Sequence, residues 1–220
     1  TAVYVIARNS GEGADRFDEA GDYQLYPEEL ENIKTIAAGY KNTIVVLNIG
    51  GVMNLSEIKA VEGVNAILLM TQLGNLGGDA LLDVLTGKVN PSGKTTDTWA
   101  KNYMDYPSSA KFSHNESVHD EMYEDGIYMG YRYFDSFDVE TEYCFGFGRS
   151  YTEFEIKAGE ISVNGNEVQV PVEVKNIGSK YAGKEVVQVY YSAIGGEIDK
   201  PYQELAAYKK TKLLAPGESE

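Results

Sequence analysis

Near Tyr151 the spacing of apolar residues changes from helix-and-strand runs to a period of two, and this shift limits the chain to two architectures laid end to end. Before it, residues 3–7 (VYVIA), 43–49 (TIVVLNI) and 65–70 (NAILLM) read as continuous apolar strands. Residues 27–40 open with Pro27 and two glutamates, which suit a first helical turn. They also place Leu30, Ile33, Ile36 and Ala37 on one face. Residues 55–63 and 77–87 read as two further helices, the second closed by Gly87. Apolar strands alternating with helices predict a parallel sheet covered on both faces. In such sheets, ligands sit beyond the carboxyl ends of the strands.

From residue 88 to 150 this pattern is lost. The stretch holds turn chemistry (NPSG, 90–93), Trp99 and an aromatic cluster, YEDGIYMGYRYFD (123–135). From Tyr151 onward FEIKAGEISV, NEVQVPVEVKN and KEVVQVYYSA alternate apolar and polar residues, with a hairpin-type turn at NGN (164–166). These are the signs of a β-sandwich, and about four strands fit before Glu220 where that class needs roughly seven. Three parallel strands are likewise a thin sheet. Both ends of the chain are therefore expected to fall inside a domain, with the boundary between residues 1–150 and 151–220.

The 220 residues carry 34 acidic and 19 basic side chains, a formal charge of −15. That opposes binding to nucleic acid or an anionic membrane, since both draw on clustered Lys and Arg. No apolar run approaches the ~18 residues that span a bilayer. A lone cysteine, Cys144, provides no disulfide framework and no cysteine zinc site, and its neighbours Tyr143 and Phe145 point to buried packing. One cysteine and no visible signal peptide fit a bacterial cytoplasm.

Among candidate motifs, Gly11-Glu12-Gly13 follows the first strand and places one carboxylate between two glycines. The dinucleotide fingerprint fails here, because its third glycine position is Arg16 and no helix starts at once. Two readings stay open on spacing alone: a solvated turn, and a loop that carries a carboxylate away from the sheet. His114, Glu116, His119, Asp120 and Glu121 match no zinc spacing and read as a solvated acidic loop. No serine sits in a G-x-S-x-G elbow. Asn54-Leu-Ser and Asn115-Glu-Ser are formal glycosylation sequons.

Six stretches in order carry a resemblance: SGEGADR (10–16), VVLNIG (45–50), GKVNPSGK (87–94), YEDGIYMGYRYFD (123–135), CFGFGRSYTEFE (144–155) and PYQELAAYKKTKLLAPGESE (201–220). Together they resemble the rear part of a family 3 glycoside hydrolase of the β-glucosidase type. The resemblance implies an α/β fold: a partial parallel-sheet α/β sandwich, then an incomplete all-β fibronectin type III-like sandwich. It further implies that a TIM-like barrel outside this chain supplies an aspartate nucleophile. Glu12 would be the catalytic acid/base, and its flanking glycines would let the loop reach the barrel's cleft. The expected reaction is retaining hydrolysis of terminal, non-reducing β-linked glucose, with the chain alone inactive. No metal or cofactor enters that expectation; the partners are a β-glucoside or oligosaccharide, the barrel, and a second copy of the chain if it oligomerises.

Ala14 and Arg16 complete the candidate substrate-binding positions. Many members of the family carry tyrosine where Ala14 stands, so an aromatic platform for the second sugar would be missing. Asp15 and Arg16 match the family, and Arg16 is suited to hold the loop through a nearby carboxylate or to form a surface ion pair. Asn75 and Leu76 replace a usual Gln-Glu, and Thr95 with Thr96 or Asp97 replaces a usual Leu-Pro. A β-xylosidase or mixed-specificity enzyme is the rival within the class; a non-catalytic sugar-binding or assembly module is the rival outside it.

Overall fold

The computed structural model describes residues 1–9, 16–111, 117 and 119–220. Two compact units emerge, one from Thr1–Leu81 with Asp97–Cys144 and one from Leu82–Thr96 with Phe145–Glu220.

In the first unit, β1 (Ala2–Ala7), α1 (Pro27–Gly39), β2 (Thr43–Asn48), α2 (Ser56–Ala60) and β3 (Val64–Leu69) follow one another. The strands form a parallel sheet in the order β1-β2-β3. Register pairs Tyr4 with Val45, Ile6 with Leu47 and Val45 with Ile67, so these side chains share one face. Ile33 of α1 and Ile58 of α2, both fully buried, pack with Ile6, Val45 and Leu47 in a single core. Right-handed crossovers that advance in one direction lay both helices on the same face, which accounts for this one-sided core. The two-sided cover expected of the sheet does not reach its edge, because β1 leaves Val3 and Val5 42% and 49% exposed. Register slips between Thr43 and Ile44, and the Asn65 side-chain carbonyl there accepts the Thr43 N–H at 2.8 Å. Helix α2 is shorter than its apolar pattern predicts, since Val61 is already extended (ψ 114°).

Helix α3 (Gly77–Leu85) contains the point where the units divide. The stretch without a legible pattern holds short pieces: β4 (Trp99–Ala100), α4 (Tyr131–Ser136) and β5 (Thr141–Tyr143). β4 pairs antiparallel with β5, and buried Trp99 and half-buried Tyr143 join the sheet's core. Cys144 is exposed, against the expectation of buried packing. Tyr143 turns inward, and the next residue of an extended chain points to the other side.

Six strands make the described β-portion of the second unit, two more than the pattern suggested. They are β6 (Phe154–Ala158), β7 (Ser162–Asn164), β8 (Glu167–Gln169), β9 (Val172–Asn176), β10 (Val186–Tyr191) and β11 (Glu204–Lys210). Two of the alternating runs each break in half, at Gly159 and at Pro171. Pro171 lacks an N–H for the ladder, and its carbonyl accepts the Gly159 N–H at 2.8 Å. β6 pairs with β9, β10 with β11, and β7 with β8 through the turn at Gly165 (φ 60°). Asn90 of the NPSG turn is stitched into this unit. Its amide donates to Ala182 O (2.9 Å), and its carbonyl accepts from Ser150 Oγ (2.9 Å) and Tyr151 N (2.8 Å).

Candidate functional site

The site is approached from the carboxyl end of β1. Glu12 and Ala14 belong to residues 10–15 and lie outside the described residues, whereas Arg16 lies within them. Arg8 and Arg16 stand on either side of that loop in the sequence.

Arg8 follows an apolar strand yet is only 6% exposed. Its backbone N–H donates to Asn48 O (3.2 Å), extending the sheet by one bond. The guanidinium forms a two-pronged pair with Glu29, Nη1 to Oε1 at 2.7 Å and Nη2 to Oε2 at 2.6 Å. It also donates to the carbonyls of Ala7, Asp22 and Gln24. Glu29 sits in the first turn of α1, where it accepts the Tyr26 N–H at 2.9 Å. Burial alone would raise the Glu29 carboxyl, but the hydrogen bonds from Arg8 and Tyr26 outweigh it and hold the group below its ordinary value. The Arg8 carbonyl accepts from the Gln72 amide at 3.1 Å. Just before Gln72, Thr71 adopts φ 58°, a left-handed conformation that is strained for a β-branched residue. Strain of this kind persists where surrounding structure enforces it, and it falls here at the carboxyl end of β3.

Arg16 is held at its head and at its backbone. Its Nε pairs with Asp22 Oδ1, while Asp22 Oδ2 accepts the Phe17 N–H at 2.6 Å. The Arg16 carbonyl accepts from the Tyr103 hydroxyl at 2.6 Å. Arg16 Nη1 lies too close to where a Cβ on Gly51 would be for both to stay in place, so a side chain there would shift the guanidinium. The second terminal nitrogen, Nη2, is buried without a hydrogen-bond partner among the described residues. Tyr103 meets buried Tyr23 edge to face, with ring centroids 5.3 Å apart. Burial, then Tyr106, Asp18 and Asp105, push the Tyr23 hydroxyl well above its ordinary value, so it stays neutral.

Sequence reasoning singled out Arg16 but missed Arg8, Asp22, Glu29, Gln72 and Tyr103. Glu29 leaves a trace as an acidic first-turn residue, which in the sequence alone signals only a helix start. A charged residue directly after an apolar strand was the available sign for Arg8. Tyr103 left none, since it reaches Arg16 from 87 residues away. Of the loose acidic loop, His114 and Glu116 lie outside the described residues, and His119 and Asp120 are exposed.

Residues 1–131 match the family described as glycosyl hydrolase family 3 C-terminal domain, and residues 185–220 match the fibronectin type III-like domain. The chain is 37% identical to beta-glucosidase A of Butyrivibrio fibrisolvens, aligned over all of this chain and 31% of that protein. Beta-glucosidase 3B from Thermotoga neapolitana, solved in complex with glucose, superposes with a TM-score of 0.90 at 45% identity. That likeness covers 99% of this chain and 31% of the other. A beta-glucosidase from Paenibacillus barengoltzii gives a TM-score of 0.92 at 39% identity, over 99% of this chain and 24% of the other. The chain therefore spans less than a third of the length of these relatives. It belongs to glycosyl hydrolase family 3, as a C-terminal α/β domain followed by fibronectin type III-like sequence.

Proposed function

We propose that this chain is part of a retaining, exo-acting β-glucosidase in which Glu12 is the general acid/base. The observation that carries the reading is the whole-chain similarity to beta-glucosidases, joined to the position of Ser-Gly-Glu-Gly directly after the end of a parallel strand. The carboxyl end of such a strand is where open α/β sheets hold their ligands. Retaining hydrolysis uses two carboxyl groups about 5–5.5 Å apart. The aspartate nucleophile, assigned to a barrel outside this chain, attacks the anomeric carbon while protonated Glu12 gives its proton to the leaving oxygen. Glu12, now a carboxylate, then takes a proton from the water that releases glucose and restores the nucleophile. The partners are a terminal β-glucoside and the remaining domains of the same enzyme.

The test is Glu12→Ala in the intact enzyme. The expected result is a loss of about 10²–10⁴-fold on substrates whose leaving group needs protonation. Activated aryl glucosides should lose far less at the glycosylation step, and azide should restore their turnover by replacing the base-activated water. An unchanged rate on poor leaving groups would remove the assignment. Running aryl β-xylosides beside aryl β-glucosides reads the sugar preference in the same assay.

A further inference from the structure

We propose that Asp22, Gly51 and Tyr103 are positioning residues that set the acid/base through Arg16; this rests on the reading of Glu12 given above. A solvated turn needs no such arrangement. Arg16 stands four residues after Glu12, and three parts of the fold converge on it. Asp22 binds the guanidinium with one oxygen and the next backbone N–H with the other, so side chain and main chain are fixed by one carboxylate. Tyr103 donates to the Arg16 carbonyl at 2.6 Å, and its ring rests on buried Tyr23. Gly51, just past the end of β2, leaves the space that Nη1 occupies.

The Arg16 and Asp22 side chains are 27% and 23% exposed, so this pair is more enclosed than an ordinary surface ion pair. The other anchor is equally fixed, with Arg8 held through its N–H, its carbonyl and its guanidinium. Seven residues separate Arg8 from Arg16 in the sequence, with Glu12 at their centre, so the two fixed ends bound the reach of its carboxylate. Tyr103 is joined to Arg16 through the main-chain carbonyl, so its hydroxyl bears on where the backbone of Arg16 sits. A proton donor displaced by about 1 Å loses up to about 10²-fold in rate, which makes such anchoring kinetically visible.

The experiment uses the full-length enzyme with Tyr103→Phe, Gly51→Ala and, in parallel, Glu12→Ala. Gly51→Ala removes no hydrogen-bonding group and only moves the guanidinium, so it tests position without deleting a contact. Thermal unfolding is recorded for each variant. kcat/KM is measured on an alkyl β-glucoside, which needs the proton, and on 2,4-dinitrophenyl β-glucoside, which does not. Both positioning variants should lose about tenfold or more on the alkyl glucoside and stay within about twofold on the activated one. Azide should accelerate turnover of the activated substrate by Glu12→Ala, whereas the positioning variants keep a carboxylate that repels the anion and should respond far less. Equal losses on both substrates, or no loss on either, while Glu12→Ala keeps its leaving-group dependence would overturn the proposal alone. Absence of that dependence in Glu12→Ala itself would bring down the acid/base reading and the proposal with it.

Discussion

Arg8 shows how much of this site is built from single residues with unusual surroundings. A guanidinium at 6% exposure is tolerated because Glu29 takes two of its N–H groups and three backbone carbonyls take others. The Glu29 carboxyl is held below its ordinary value in the folded chain, so its contribution to stability is present above the usual carboxylate range. That contribution fades as pH falls through the folded value. Glu29→Gln should therefore cost about 3 kcal/mol at neutral pH, the order expected when a buried pair loses one partner. The gap between wild type and variant should shrink as pH falls below the usual carboxylate range and through the lowered folded value, where the wild-type carboxyl protonates. Thermal unfolding of both proteins across that range measures it, and a gap independent of pH would mean the pair does not act as an ion pair.

Among the elements, β9 depends on its last residue. Asn176 is fully buried, and its amide donates to the carbonyls of Tyr181 and Leu214 at 2.9 Å each. Its side-chain carbonyl accepts from Thr152 Oγ1 (2.7 Å) and Gly178 N (3.0 Å). One side chain thus ties the end of β9 to the segment before β6 and to the chain near Leu214. Asn176→Asp keeps the shape but replaces the NH2 that donates to both carbonyls with an oxygen facing them. A loss of about 3 kcal/mol or more is expected, read as a lower denaturation midpoint or faster proteolysis of the β-rich unit. A midpoint equal to wild type would show that the strand end is held by its backbone ladder alone. The parallel strands of the first unit were legible within a residue or so at each end, because continuous apolar runs mark buried strands. The short β-strands are hard to separate in the sequence, since period two continues unbroken across Pro171 and only shifts its phase at Gly159, from Ala158 to Ile161.

At the scale of the molecule, the chain holds one candidate carboxylate of the pair that retaining hydrolysis needs. The 220-residue chain alone should show no hydrolysis of an aryl β-glucoside above the rate of a Glu12→Ala control. Turnover that exceeds this control would place a second carboxylate within these residues. Local information carried the reading a long way: hydrophobic period separated the α/β part from the β part, and contiguous motifs led to the family and to Glu12 as a candidate. Such signals are legible because they lie within one turn, one strand or one loop. Tertiary structure alone decided what holds the loop ends, namely Glu29 on Arg8 across 21 residues, Asp22 and Gly51 around Arg16, and Tyr103 from 87 residues away. Contacts of that kind carry no period and no spacing, because the fold, rather than the neighbouring sequence, brings the partners together.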